Sequence, residues 1–167
     1  MSLARAAYRI RQFLASLGAG LSRQERQIVA AHLSQEQQRL FYAMTARDQR
    51  HCLDVFHALE ARGCRDDEVL LAALLHDVGK GPIRLWHRAV YVLLKTAWPR
   101  LLARLAQPEG RGWRQAMAAL ENHAVRGAAL AEAAGTPAAV VELIRRHQGA
   151  DASDGRVGLL SEVDNSC

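Results

Sequence analysis

His76 and Asp77 stand side by side directly after seven apolar residues, 69–75 (VLLAALL). A histidine and a carboxylate at the end of a wholly apolar segment are costly to bury without a partner, and a divalent cation satisfies both. Neighbouring residues on a helix diverge by about 100°, but at a helix end two side chains can converge on one point. Four more residues of the same ligand types are spread along the chain: His51 upstream, then His123, His147 and Asp164 downstream. Each falls on its own expected helix. Imidazole and carboxylate without thiolate suit Mn, Fe, Co, Ni or Zn in a nitrogen–oxygen site. Lys80 follows Asp77 by three residues in the turn Val78-Gly79-Lys80-Gly81-Pro82. There an ammonium can contact a phosphoryl oxygen, or merely balance the charge of a helix C-terminus. Lys80 stands out because 20 of the 22 basic residues are arginine.

The elements that must position these residues read as helices throughout. Ala and Leu abound, β-branched residues are sparse, and no hairpin signal separates alternating runs. Residues 3–17 carry apolar positions at helical spacing and stop at Gly18, which predicts a docking helix rather than a transit peptide. Ser22-Arg23-Gln24-Glu25 is a capping-box pattern opening a helix over 22–33. Helices are expected over 34–44 and 45–62, the second stopped by Gly63. Asp66, Asp67 and Glu68 favour the N-terminus of a helix that runs to His76 and, being apolar on every face, forms the buried centre of the domain. A basic helix spans 83–98, where Pro99 breaks or kinks it. The remaining helices are expected over 113–122, 123–134, 137–147 (Thr136 as N-cap, Pro137 at the first helical position) and 157–163. Residues 108–112 and 149–155 read as loops. The fold class is all-α, a single-domain helical bundle in which N-terminal helices (1–44) pack on a core of 45–167.

With 167 residues the chain matches one domain of roughly 150. Half of it is hydrophobic and 23% charged, which fits a folded protein rather than a disordered one. Cys52, Cys64 and Cys167 form no CxxC pair and no disulfide framework, so a reducing, cytoplasmic location is expected. The apolar run of 69–75 is too short to span a bilayer. The net charge of +5 is concentrated in 84–114, which holds Arg84, Arg88, Lys95, Arg100, Arg104, Arg111 and Arg114 against one acid, Glu109. Such a field suits a phosphorylated substrate, nucleic acid or an anionic membrane surface; a solvated arginine face is the plain alternative. Trp86, Trp98 and Trp113 are expected in the core or in groove walls, and His32, His57 and His87 as packing or surface residues. Asp54, three residues after His51, either orients a metal-bound histidine or is solvated.

The strings RHCLDV (50–55), AALLHDVGKG (72–81) and LLSEVD (159–164) resemble the HD superfamily of metal-dependent phosphohydrolases. Its pattern falls here on His51, His76, Asp77 and Asp164. NHAVRGAAL (122–130) and IRRHQG (144–149) are similar to the setting of two further histidines in two-metal members, which puts His123 and His147 on a second ion. The resemblance therefore implies two divalent transition-metal ions bridged by Asp77 and a solvent-derived hydroxide. The implied activity is hydrolysis of a phosphate ester or anhydride in a phosphorylated small molecule, a nucleotide, with Asp77 catalytic. By charge and position Lys80 is the second catalytic residue, and Arg84 or Arg88 from the next helix would add positive charge at the substrate phosphate. The segment Arg146-His147-Gln148-Gly149 lacks the HHE and GYP signatures of the cyclic-dinucleotide phosphodiesterases. Size and histidine layout are closer to the symmetrical diadenosine tetraphosphate hydrolases. Their last metal aspartate, however, has an alanine before it and further sequence after it, where this chain reads Val163-Asp164-Asn165-Ser166-Cys167. Asp151 and Asp154 are the fallback carboxylates should that segment fray. Two rival readings are a di-iron oxygenase on the same fold, and a non-catalytic metal-stabilised module docking on anionic membrane or nucleic acid through 83–104.

Overall fold

The apolar run 69–75 becomes the pivot of the molecule. The computed structural model describes residues 20–81, 83, 85–107, 111–148 and 154–167, and the described residues hold ten helices and no strand. They are α1 (Arg23–His32), α2 (Gln35–Ala43), α3 (Ala46–Ala61), α4 (Asp67–Leu75), α5 (Leu85–Ala97), α6 (Pro99–Leu105), α7 (Trp113–Glu121), α8 (His123–Ala133), α9 (Ala138–Arg146) and α10 (Gly155–Ser166). The expected helix over 3–17, Arg84, Asp151 and most of the 149–155 loop lie outside the described residues. Among those described, no helix is long and apolar enough to cross a membrane.

Helix α4 is covered by α2, α3, α9 and α10 together. That coverage explains why it carries no polar stripe: Val69, Leu70, Ala72, Ala73, Leu74 and Leu75 are all buried. Polar side chains define where the surrounding helices begin. The Ser22 hydroxyl accepts from the Glu25 N–H while the Glu25 carboxylate accepts from the Ser22 N–H, and Ser34 with Gln37 repeats the arrangement. Thr45, Asp66 and Asp154 cap α3, α4 and α10 through their side-chain oxygens. Gln37 also donates to the Thr136 hydroxyl at 3.0 Å, fastening α2 to the connection before α9. Thr136 is thereby occupied, and Pro137 stands at the N-cap of α9 instead of inside its first turn.

A second, smaller core lies outside this bundle. Leu94, Leu102, Met117 and Leu120 form it, from the layer α5–α6–α7 inserted between Asp77 and His123. Pro99 does break the basic helix, and its missing N–H then suits the first position of α6. A buried ion pair ties this layer to the bundle: Arg88 of α5 donates to both carboxylate oxygens of Asp48 at 2.8 and 2.6 Å, and Thr45 donates to the same carboxylate at 2.6 Å. The tryptophans depart from expectation. Trp86, Trp98 and Trp113 are 50, 56 and 38% exposed, because the small core under α5–α7 is filled by Leu and Met.

The two layers should respond differently to truncation. Leu74→Ala, at a side chain with no exposure, should cost about 2–5 kcal/mol. Leu93→Ala, 57% exposed on α5, should stay within about 0.5 kcal/mol of the parent in chemical denaturation.

Candidate metal centre

Helix ends converge on one buried point. His76 follows the last residue of α4, His123 is the first residue of α8 and His147 follows the last residue of α9. The ring Nδ1 of each lies on a backbone carbonyl three residues earlier: His76 on Ala73 at 2.8 Å, His123 on Leu120 at 2.7 Å, His147 on Ile144 at 2.7 Å. A carbonyl only accepts, so each Nδ1 carries the hydrogen, and in the neutral ring Nε2 keeps the lone pair. The same local device thus orients three imidazoles. Backbone carbonyls in this position fix ring and tautomer as they do for metal-binding histidines.

The other ends of these groups meet around Asp77, which has no exposed surface. Its Oδ1 lies 3.5 Å from Nε2 of His76 and 3.6 Å from Nε2 of His123, and its Oδ2 lies 3.9 Å from Nε2 of His51. Lys80 donates to Oδ2 from the turn that follows. Asp164 of α10 places its Oδ1 at 2.7 Å from Nε2 of His51 and 3.4 Å from Nε2 of His76. Two groups of ligand atoms, each mutually within 4.8 Å, could hold a metal: His51, His76 and Asp164, and beside them Asp77, His123 and His147.

Nε2 of His76, Nε2 of His147 and Oδ1 of Asp77 are buried and make no hydrogen bond. Unsatisfied buried polar atoms of this kind cost about 1–3 kcal/mol each. Three such atoms, directed at one place and all of ligand type, fit cations in both groups. Cys52, His76 and Asp77 form a third group within the same distance. Cys52 sits 3.8 Å from Nδ1 of His76, the nitrogen engaged by Ala73, and burial raises its thiol pKa, so it packs beside the ring as a thiol.

Charge organises the centre as well. Burial by itself would raise the carboxyls of Asp77 and Asp164, yet the surrounding imidazoles, with Lys80 at Asp77, hold both well below the usual range. Burial likewise opposes a proton on His76, but Asp77, Cys52 and Asp164 together outweigh it and the imidazole is held well above its ordinary value. His123 is lowered by burial, and His147 is lowered to about 4 by burial and the neighbouring His76. Near neutrality the second group therefore presents two uncharged imidazoles and a carboxylate.

Tight backbone packing sets the distance between the two halves. A methyl on Gly79 would lie 2.0 Å from the His123 carbonyl oxygen and 2.5 Å from the Gly127 nitrogen, so only glycine lets the turn after Asp77 touch the start of α8. The segment around Asp164 is held too. Val157, Leu160 and Val163 are buried, Arg62 pairs with Glu162 at 2.8 Å, and α10 continues past Asp164 to Ser166. Asp154 lies away from this cluster as the N-cap of α10, with its side chain accepting from the Arg156 N–H.

Arg88, expected at a substrate phosphate, is bound instead by Asp48. A cleft of about 700 Å³ opens beside Lys80, and Ile83, His87, Gln115, Asn122 and Arg126 are among its lining residues. Sequence reasoning missed Gln115, Asn122 and Arg126. Arg126 was within reach of it, since it stands three residues after His123 on the same helical face.

Among comparisons with known proteins, a family model described as "HD domain" matches residues 48–165. No curated protein and no solved structure matches.

Two outcomes follow from this geometry. Gly79→Ala should cost roughly 1–3 kcal/mol or more and weaken metal binding, whereas Gly158→Ala, inside α10 with nothing within 4 Å of the added methyl, should melt slightly above the parent. Metal should also compete with the proton that Asp77, Cys52 and Asp164 together hold on His76. Affinity should then rise as pH increases toward the raised His76 pKa, and calorimetry in buffers of different ionisation enthalpy should detect proton release at neutral pH.

Proposed function

The chain belongs to the HD-domain family, a superfamily of metal-dependent hydrolases, and on that premise we propose that it hydrolyses a phosphate ester or anhydride of a nucleotide at a dinuclear centre. The observation that carries this reading is the position of Asp77 between two ligand groups, with a cation-lined cleft opening next to it. His51, His76 and Asp164 would hold one ion, His123 and His147 the other, and Asp77 both. Divalent cations bound there supply Lewis acidity toward a phosphoryl oxygen and acidify a coordinated water.

The chain's own residues account for binding and orientation. Lys80 stands at the boundary between centre and cleft, where its ammonium meets charge developing on the phosphoryl oxygens. Arg126, one turn beyond His123, adds the positive charge that Arg88, held by Asp48, does not supply. Ile83, Ala116, Ala119 and Val125 give the cleft an apolar wall for a planar base, with Gln115 and Asn122 as hydrogen-bonding groups. Its volume of about 700 Å³ falls in the usual range for small-molecule sites, roughly 300–1,000 Å³. Asp77 has no exposed surface, and the imidazoles around it, with Lys80, keep its carboxylate ionised.

A reconstituted sample should contain two metal ions per chain and hydrolyse members of a nucleotide panel. His76→Ala and Asp164→Ala should lose metal and nearly all activity. Lys80→Met should keep both ions and lose turnover by about 10²-fold or more. Full activity with a single ion would remove the dinuclear part of the reading. An iron-loaded sample that consumes dioxygen and hydrolyses no phosphate would replace it with oxygenase chemistry.

A further inference from the structure

Helix α5 has two apolar faces and only one core to cover. Val90, Tyr91 and Leu94 point into the small core shared with α6 and α7. On the opposite arc, Trp86, Ala89, Val92 and Leu93 are exposed, at the spacing of a single helical face. Trp98 and Leu101, at and within α6, and Trp113, at the start of α7, are further exposed apolar side chains of the same layer. Six of the nine large hydrophobic side chains that are exposed among the described residues lie here, at 38–61% exposure. Monomeric proteins rarely leave an apolar surface of this extent in water without a partner.

Charge identifies the partner. Arg100, Arg104, Arg111 and Arg114, on the same stretch of chain as these side chains, are exposed too. None of these four meets an acid among the described residues, whereas Lys95 lies 3.9 Å from Glu121 at the end of α7 and Arg88 is held by Asp48. We propose that the α5–α7 layer is a docking surface for an anionic membrane, with the apolar side chains inserted at the headgroup level and the arginines on acidic lipids. Exposed tryptophan and arginine on one layer with exposed aliphatic side chains suit that interface, where an apolar body and a charged head find different depths. α5 has 13 residues, about 20 Å of helix, too short to span and suited to lying in the surface plane. A second copy of the chain fits less well, because a two-fold contact would bring the same unneutralised arginines together. Nucleic acid would use the arginines but leave Val92, Leu93 and Leu101 unmatched.

The three tryptophans of the chain all lie on this layer, so their emission reports on it alone. Full-length protein should float with vesicles of phosphatidylcholine plus phosphatidylserine, shift its tryptophan emission to the blue, and bind phosphatidylcholine alone far more weakly. Added salt should weaken the binding. Arg100→Glu with Arg104→Glu should lower partition about 25-fold or more, since each cation near an acidic leaflet contributes about fivefold. Val92→Asp with Leu93→Asp should lower it as well, with melting temperature and hydrolysis of a small chromogenic ester unchanged. Absence of flotation with the acidic vesicles would overturn the proposal, as would wild-type partition by both double variants. A concentration-dependent dimer abolished by Val92→Asp/Leu93→Asp without vesicle binding would assign the face to a second copy. Duplex DNA displacing the protein from vesicles at equal charge would assign it to nucleic acid.

Discussion

Asp77 is an aspartate with no exposed surface, held ionised by the imidazoles and the Lys80 ammonium around it. A buried charge destabilises a fold by several kcal/mol unless compensating groups are brought to it. Here they come from different parts of the chain: His51 from α3, His76 from its own helix end, His123 from α8 and Lys80 from the next turn. The bundle is arranged to let those groups meet. α4 must be covered on several sides for its C-terminus to lie at the centre, and that requirement is visible as a segment without a polar face.

The histidines solve a second problem in the same economy of means. Each of His76, His123 and His147 has its Nδ1 on a carbonyl of the turn before it, so its orientation is set by local backbone and needs no further side chain. Long-range packing then only has to place helix ends. Gly79 and Gly127 show how closely that is done, with the backbone of the turn against the backbone of α8. His51 and Asp164 are placed otherwise, by helix faces, and they hold one another at 2.7 Å.

The layer α5–α7 enters the chain between Asp77 and His123 without disturbing the main core. It has its own core, is fixed by the Asp48–Arg88 pair, and contributes His87, Gln115 and Ala116 to the wall of the cleft. One insertion therefore shapes the approach to the centre on its inner side and carries an apolar, basic surface on its outer side. The two sides follow from one physical fact: three short helices cannot bury every apolar residue they carry.

Local rules decided most of what was legible in the sequence. Helical spacing, the Ser22 and Ser34 caps, the Asp66-Asp67-Glu68 start and the apolar run of 69–75 each depend on neighbours a few residues away, and the helices formed where those signals stood. The identity of the six candidate ligands was legible for the same reason, since ligand chemistry belongs to the residue type and the family resemblance supplied the pattern. Tertiary structure decided the rest. Nothing near Arg88 in the sequence marks Asp48, forty residues away, as its partner, and nothing local tells a tryptophan whether its helix has a second face to cover. Thr136, expected as the cap of α9, instead accepts from Gln37, 99 residues earlier. Spacing along a helix states which face a side chain shares; which faces are then buried depends on contacts between segments far apart in the chain, and only the folded molecule contains them.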